Sequence, residues 1–343
     1  MQYFPWLKPI QAAYQRSFSS VKPLGSGHIH QTFKISAGTD LFVLQEFNVK
    51  VFEHPERISF NQQLVLKGLI GKNLPFALPL PIPNREGQLF TAVNDSIFRL
   101  SPYVAGVCLD EVEQIQEARL AAEAFAGFIV ACSSIDATLL QDTIPGFNNL
   151  ELRFQQLKDA YANTQREVVG ELKGLVDFYL GQESLVREYT GWIQRLPLRV
   201  THNDTKINNL IFSSDRQRVE AVIDLDTIMA GYAFYDFGDL VRTVACTQPE
   251  SSTNWEKIGV DRVKFEALWK GFLKGGKGVL TAEEIASLPF GGKMMTCIMG
   301  FRFLADYLNG NSYYKIHYEE QNLDRAKNHM LLLQALEDLN FHP

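Results

Sequence analysis

The 343-residue sequence predicts a two-lobed α+β fold in which a small antiparallel β-sheet with one helix precedes a larger, mainly helical lobe. Two textures predict it. From about Val21 to Val104 short β-patterned runs alternate with Gly, Pro and Asn, as in SGHIHQTFKIS, DLFVLQEFN, REGQLFTAV and DSIFRLSPYVAG. Beyond Gly106 the pattern lengthens into amphipathic runs such as EQIQEARLAAEAFAGFIVACSSI and NLDRAKNHMLLLQALEDL. The length and a hydrophobic content of 46% leave room for two cores.

The first lobe is expected over residues 1–104 and the second over 107–343, with SPYVAG at 101–106 as the connector. Between the strands of the first lobe, FEHPERISFNQQLVLKGLIGKN spaces Ile58, Leu64, Val65, Leu66, Leu69 and Ile70 at helical intervals, so a helix is expected to cross behind the sheet. Within the second lobe, LRVTHND, NLIFSS and VEAVIDLD, from Leu198 to Asp226, read as a loop-bearing hairpin set among helices.

A net charge of -6, with both signs interspersed, argues against nucleic acid, whose backbone demands a clustered positive field. Cys108, Cys132, Cys246 and Cys297 lie far apart, in no metal-binding or redox spacing, and are expected to be reduced. No stretch approaches eighteen apolar residues, and MQYFPWLKPIQAAYQ lacks the layout of a secretory leader. A cytoplasmic location, away from any membrane, is the expectation. Oligomeric state is not readable from the sequence.

The chemistry concentrates in VTHNDTKINNLIF followed by VEAVIDLDTI. An Asp, an Asn five residues later on a tight loop, and a second Asp closing an apolar strand form a layout suited to phosphoryl transfer. That reaction needs one carboxylate to orient the attacking hydroxyl and accept its proton, and oxygen ligands to hold magnesium against the phosphates of ATP. Asp204 suits the first role, Asn209 and Asp224 the second. Lys206 stands where a cation would neutralise charge growing on the transferred group. Taken alone, HND is an ordinary turn and IDLD an ordinary strand end; their joint order and spacing carry the reading. His202 reads as a ring bonded to loop backbone, and His30, His54, His317, His329 and His342 share no spacing that suggests a function.

These motifs resemble those of the aminoglycoside phosphotransferase and choline kinase superfamily. The flanking words GSGHIHQTF, FVLQEFN, IDLDTIMAGYAFYDFGD and RFLADYL are most similar to its N-acetylhexosamine 1-kinase branch, over about Leu24 to Leu333. The resemblance implies a protein-kinase-like fold, ATP bound between the lobes, and transfer of its γ-phosphate to the anomeric hydroxyl of a sugar such as GlcNAc or GalNAc. It further implies that Gly25, Ser26, Gly27 and His28 cover the phosphates, that Ser101, Pro102 and Tyr103 hold adenine, and that Asp236 supports the catalytic loop; a helix cap is the other account of Asp236. Asp226 is open between orienting Asp224, touching a second metal and binding a substrate hydroxyl.

One departure stands out. Where most kinases carry a phosphate-reaching lysine this chain has Gln45, and its acidic partner appears as Gln63 or nothing. Compensation is expected from Lys206, the metal and His28. For the acceptor, Arg302 and Asp306 lie four apart on MMTCIMGFRFLADYLNG, with Tyr307, Tyr313 and Tyr314 nearby as platforms for a sugar. A plain surface ion pair is the other reading of that spacing. The rival functions are the same fold acting on an aminoglycoside, choline, ethanolamine or homoserine, and a nucleotide-binding pseudokinase.

Overall fold

The computed structural model describes residues 4–25, 30–49, 54–339 and 341. Helix α1 (Leu7–Tyr14) leads into strands β1 (Ser20–Pro23), β2 (Gln31–Ala37), β3 (Asp40–Phe47), β4 (Thr91–Val93) and β5 (Ser96–Pro102). They form one antiparallel sheet in the order β1-β2-β3-β5-β4. Strand periodicity gives the sheet two unlike faces. Phe33, Ile35, Phe42, Leu44, Phe98 and Leu100 are buried on one face, and α1 covers them with Trp6, Ile10 and Tyr14, a helix the sequence patterns did not anticipate. The opposite face carries Thr32, Gln45 and Arg99, aligned across β2, β3 and β5 by register.

Helix α2 (Pro55–Gly68) departs from expectation. Ile58 reaches the sheet at Phe47, but the helix is docked on the second lobe. Asn61 donates to the carbonyls of Gln141 and Ile228, both at 2.8 Å, and accepts the Gln141 N–H at 2.9 Å. Leu66 and Ile70 of the expected apolar stripe are exposed, while Asn61 and Gln62 are buried. Two amides with backbone partners in the other lobe outweigh the apolar spacing, because buried polar groups are stable once bonded.

The second lobe contains α3 (Ile115–Ala131), α4 (Leu150–Asn163), α5 (Gly170–Leu180), α6 (Glu183–Ile193), β6 (Arg199–Thr201), β7 (Leu210–Phe212), β8 (Val219–Val222), β9 (Met229–Gly231), α7 (Ala233–Leu240), α8 (Arg262–Gly275), α9 (Ala282–Leu308) and α10 (Gln321–Glu337). The expected hairpin is β7–β8, and β6 pairs with β9. α9 opens with a capping box in which Thr281 and Glu284 satisfy each other's backbone N–H groups. The same Glu284 accepts two 2.8 Å bonds from Arg199, fixing the strand that leads into the catalytic segment. Among the described residues, no helix is long and apolar enough to cross a membrane, and all four cysteines are free thiols.

α7 and α9 cross in near backbone contact. A Cβ on Gly291 would overlap the carbonyl oxygen of Phe234, and one on Gly238 would overlap that of Gly291. Both overlaps involve backbone, which cannot rotate aside. Gly291→Ala should therefore cost about 1–3 kcal/mol through overpacking, despite about 1 kcal/mol of added helix propensity. A urea titration giving an unchanged midpoint would show that the helices separate freely.

Candidate active site

The segment between β6 and β7 is held by two aspartates of α7. Asp236, wholly buried, accepts the N–H groups of His202 at 2.9 Å and Asn203 at 2.8 Å; Asp239 accepts that of Thr205 at 2.9 Å. Burial pushes the Asp236 carboxyl up to about 6, with His202 and the two N–H donors pulling against it. The Asn203 side chain bonds the carbonyls of Thr201 and Thr227 and accepts from Asn148, holding its own backbone at φ 66°. Asparagine tolerates this left-handed region better than most residues.

His202 joins the two halves of the site. Its Nδ1 accepts the Asp204 N–H at 3.3 Å, so Nε2 carries the proton and donates to the Ile223 carbonyl at 2.9 Å, immediately before Asp224. Phe125 and Phe128 pack edge-on against the ring.

Asp204 is half-buried. Its Oδ1 pairs with Lys206 Nζ at 2.9 Å, and Asn209 Nδ2 donates to its carbonyl at 2.7 Å and its Oδ2 at 3.0 Å. Burial pushes the carboxyl up, but Lys206, His202 and Asn209 more than offset that and hold it below the usual carboxylate range. It is ionised at neutral pH. Burial pulls Lys206 the other way, yet Asp204 dominates and raises its pKa.

Asp224 differs. Its backbone is left-handed, at φ 57° and ψ 58°, and its carboxylate accepts no hydrogen bond from the described residues. Solvent reaches it, yet the surrounding protein, then the like charges of Asp226 and Asp204, push it up to about 7, while Arg99 and His30 pull it down. Asn209 Oδ1 likewise receives no donor there. An uncommitted carboxylate and an uncommitted amide oxygen, beside further negative charge, fit a hard cation. No group of three or more His, Cys, Asp or Glu side chains gathers as a metal cage among the described residues, and magnesium needs none, since it is commonly held by one or two carboxylates plus phosphates.

Asp226 is spent elsewhere. Only 1% exposed, it accepts both terminal nitrogens of Arg99 (Nη2 at 2.9 Å), His30 Nε2 at 3.0 Å and Gln62 Nε2 at 3.3 Å. His30 Nδ1 accepts the Asn48 N–H, which leaves Nε2 as the donor. Burial pushes Asp226 up, but Arg99 and His30 hold it well below the usual range. With four donors in place it is a bridge between lobes, which departs from the expected contact with substrate or a second metal.

That bridge also explains Gln45. Gln45 donates to Thr32 Oγ1 at 3.4 Å and accepts Arg99 Nε at 2.8 Å, so the charge missing from β3 stands one strand away on β5. Sequence reasoning passed over Arg99, although it was visible as the one charge inside SIFRLSP. The expected partner Gln63 bonds Ser59 of its own helix, and Gln62 holds the interlobe position.

Of the other nucleotide-site residues, Gly25 is described, at φ 70°, whereas Ser26, Gly27 and His28 lie outside the described residues. Ser101 and Pro102 end β5, and the Tyr103 N–H is taken by the Leu41 carbonyl at 3.0 Å, with Lys34 over its ring.

Arg302 and Asp306, expected as handles for the acceptor, form no ion pair with each other, so the alternative reading of their spacing does not hold. Asp306, buried, accepts the N–H groups of Tyr313 at 2.8 Å and Tyr314 at 2.9 Å and the amide of Asn322 at 2.9 Å, closing the turn after α9. Arg302 instead faces the rings of Phe147, Tyr313 and Tyr314 at 5.1–5.9 Å. Tyr307 is packed beneath Arg166. A cavity of 250 Å³ opens against the catalytic loop at Lys206, Ile207 and Asn208, bounded also by Arg242, Glu250 and His329. A larger hollow of 530 Å³, bordered by Phe154 of α4 and Val186 of α6, contains no residue of this loop.

The model of the phosphotransferase enzyme family (APH) matches residues 20–255, more than half of the chain. The chain belongs to this family. An aminoglycoside phosphotransferase structure from Alicyclobacillus acidocaldarius superposes with a TM-score of 0.67 at 12% identity, covering 99% of this chain and 97% of the other. A microcompartment-associated aminopropanol kinase gives 0.61 at 17%, covering 97% of each chain. The spectinomycin phosphotransferase APH(9)-Ia, in complex with ADP and spectinomycin, gives 0.56 at 10%, covering 98% and 99%. At these identities the likeness establishes the two-lobed kinase-like fold, and the family makes the chain a phosphotransferase.

Arg99→Met would leave Asp226 buried without its main partner. Removing one member of such a pair costs about 3–5 kcal/mol, so unfolding in urea should shift to markedly lower denaturant. Arg99→Met/Asp226→Asn should lose less than the two single substitutions together. Additive losses would mean that the ion pair does not join the lobes.

Proposed function

We infer that this phosphotransferase moves the γ-phosphate of ATP onto a hydroxyl of a small polar acceptor, with Asp204 as the base. The observation that carries this reading is the contrast within the site: Asp204 is ionised and pinned, while Asn209 Oδ1 and Asp224 are uncommitted. Asp204 orients the acceptor hydroxyl and takes its proton as the oxygen–phosphorus bond forms. The bond from the γ-phosphorus to its bridging oxygen breaks, and ADP leaves with that electron pair. Asn209 and Asp224 would hold magnesium, which screens phosphate charge when bound. Lys206 lies beside the base to balance charge on the transferred group. The loop at Gly25–His28 would cover the phosphates, the connector at 101–103 would meet adenine, and a cytoplasmic location accords with the free thiols.

For the acceptor, the flanking words favour the anomeric hydroxyl of an N-acetylhexosamine, and the ring-lined Arg302 suits a sugar. A second reading has its own support: the solved structures carry the names of aminoglycoside and aminopropanol kinases, which points to an amine-bearing acceptor.

The deciding assay is ADP release from Mg·ATP with GlcNAc, GalNAc, glucose, galactose, choline, homoserine and kanamycin. Turnover confined to N-acetylhexosamines, with phosphate on C1, supports the first reading, and turnover confined to amines the second. Asp204→Asn should lower kcat by about 10²- to 10⁴-fold with nucleotide affinity unchanged; near-normal kcat would remove Asp204 from the role of base.

A further inference from the structure

We propose that Arg242 is a positioning residue for the catalytic base: through Asp239 it fixes the backbone between Asp204 and Lys206, and its removal slows transfer without weakening substrate binding. This rests on the phosphotransferase reading above and adds a residue to it. Asp236 and Asp239 both hold the catalytic loop, but by different means. Asp236 spends one oxygen on each of two backbone N–H groups and has no ion pair among the described residues. Asp239 divides its oxygens: Oδ2 accepts the Thr205 N–H at 2.9 Å, and Oδ1 accepts Arg242 Nε at 3.0 Å and Nη2 at 2.7 Å. Asp239 is 2% exposed, and Arg242 is the one cation paired with it among the described residues. Two charge-assisted bonds to one oxygen stop the carboxylate from turning and so keep the other oxygen on Thr205. Thr205 stands directly between the base and Lys206, so the bond acts on both.

The guanidinium is itself held from behind. Its remaining nitrogen, Nη1, donates to Glu250 at 2.8 Å. Glu250 belongs to a segment tied to α10, where Asn328 Nδ2 donates to the Pro249 carbonyl at 3.1 Å and Arg325 Nε to Ser251 Oγ at 3.1 Å. Every nitrogen of Arg242 thus meets a carboxylate, so its charge is matched within the protein and it acts on the reaction through Asp239. An ammonium in its place would reach a single point, whereas the planar fork spans Asp239 and Glu250 at once. The residue stands in a π-helical turn, Val241–Ala245, which continues α7 and is a form frequent at functional sites. Arg242 and Lys206 border the same 250 Å³ cavity, and two cations repel, which leaves Asp204 as the ion-pair partner of Lys206. A misplacement of about 1 Å in a group that must meet a reacting hydroxyl costs about 10²-fold in rate, so a loop free to shift at Thr205 is a slow one.

The test compares wild type with Arg242→Met and Arg242→Lys. In Arg242→Met, amide hydrogen exchange at Thr205 should quicken about tenfold, the worth of a hydrogen bond to a charged group, while His202 and Asn203, held by Asp236, keep their wild-type rates. With GlcNAc as acceptor, or kanamycin should only amines turn over, kcat should fall about 10²-fold with the KM for the acceptor and the Kd for Mg·ATP unchanged. Arg242→Lys should restore part of that kcat. Asp239→Asn and Asp239→Asn/Arg242→Met should share one kcat, because the arginine acts through Asp239; in the double substitution Glu250 keeps Arg325 and no buried carboxylate is stranded. An undiminished kcat in Arg242→Met, exchange that quickens equally at all three amides, or a further fall in the double substitution overturns the inference. A wild type that turns over none of the acceptors sinks the phosphotransferase reading instead, and the Thr205 exchange rate still decides the role of Arg242.

Discussion

One buried carboxylate gathers three segments of the first lobe onto the second. Asp226 receives Arg99 from β5, His30 from the segment before β2 and Gln62 from α2, three parts of the first lobe that touch the second at the same point. A lone carboxylate at 1% exposure would be untenable; four donors, two of them from a guanidinium in a paired fork, make it a joint. The position of Asp224 depends on it, because the two residues share one short turn at the end of β8. The cross-strand row Thr32–Gln45–Arg99 is also explained by it: each side chain orients the next, and the guanidinium at the end meets Asp226. A cation on the sheet face opposing the cleft is thus preserved, although the residue carrying it has moved one strand.

Around the base the same economy recurs. Asp236 and Asp239, one turn apart on α7, accept the backbone N–H groups of His202, Asn203 and Thr205, and His202 links that loop to the strand bearing Asp224. The groups left without donors, Asn209 Oδ1 and the Asp224 carboxylate, are the ones to which the chemistry assigns a cation. The base is bonded on both sides, so among these residues only the oxygens assigned to the cation stay open.

Much of this was legible because it is local. HNDTKINN and IDLD carry their meaning within a dozen residues, and the two-lobed fold follows from a change of period that a reader can see. The role of Arg99 was illegible for the opposite reason: the residue is plain in SIFRLSP, but its partner lies 127 residues away. The α2 stripe misled because Asn61 and Gln62, polar by composition, occupy its buried face. Asp306 and Arg302 share a helix face as the spacing requires, but the turn after α9 offered Asp306 backbone donors that outcompeted the guanidinium.

The interlobe joint has a mechanical consequence. Burial shields it from dissolved salt, whose screening acts on exposed charges far more than on enclosed ones. Gln62 shares α2 with Asn61, which is bonded to the second lobe on its own account, so opening the joint parts Arg99 and His30 from Asp226 with α2 still docked. Ionic strength therefore has little purchase on the step that parts them.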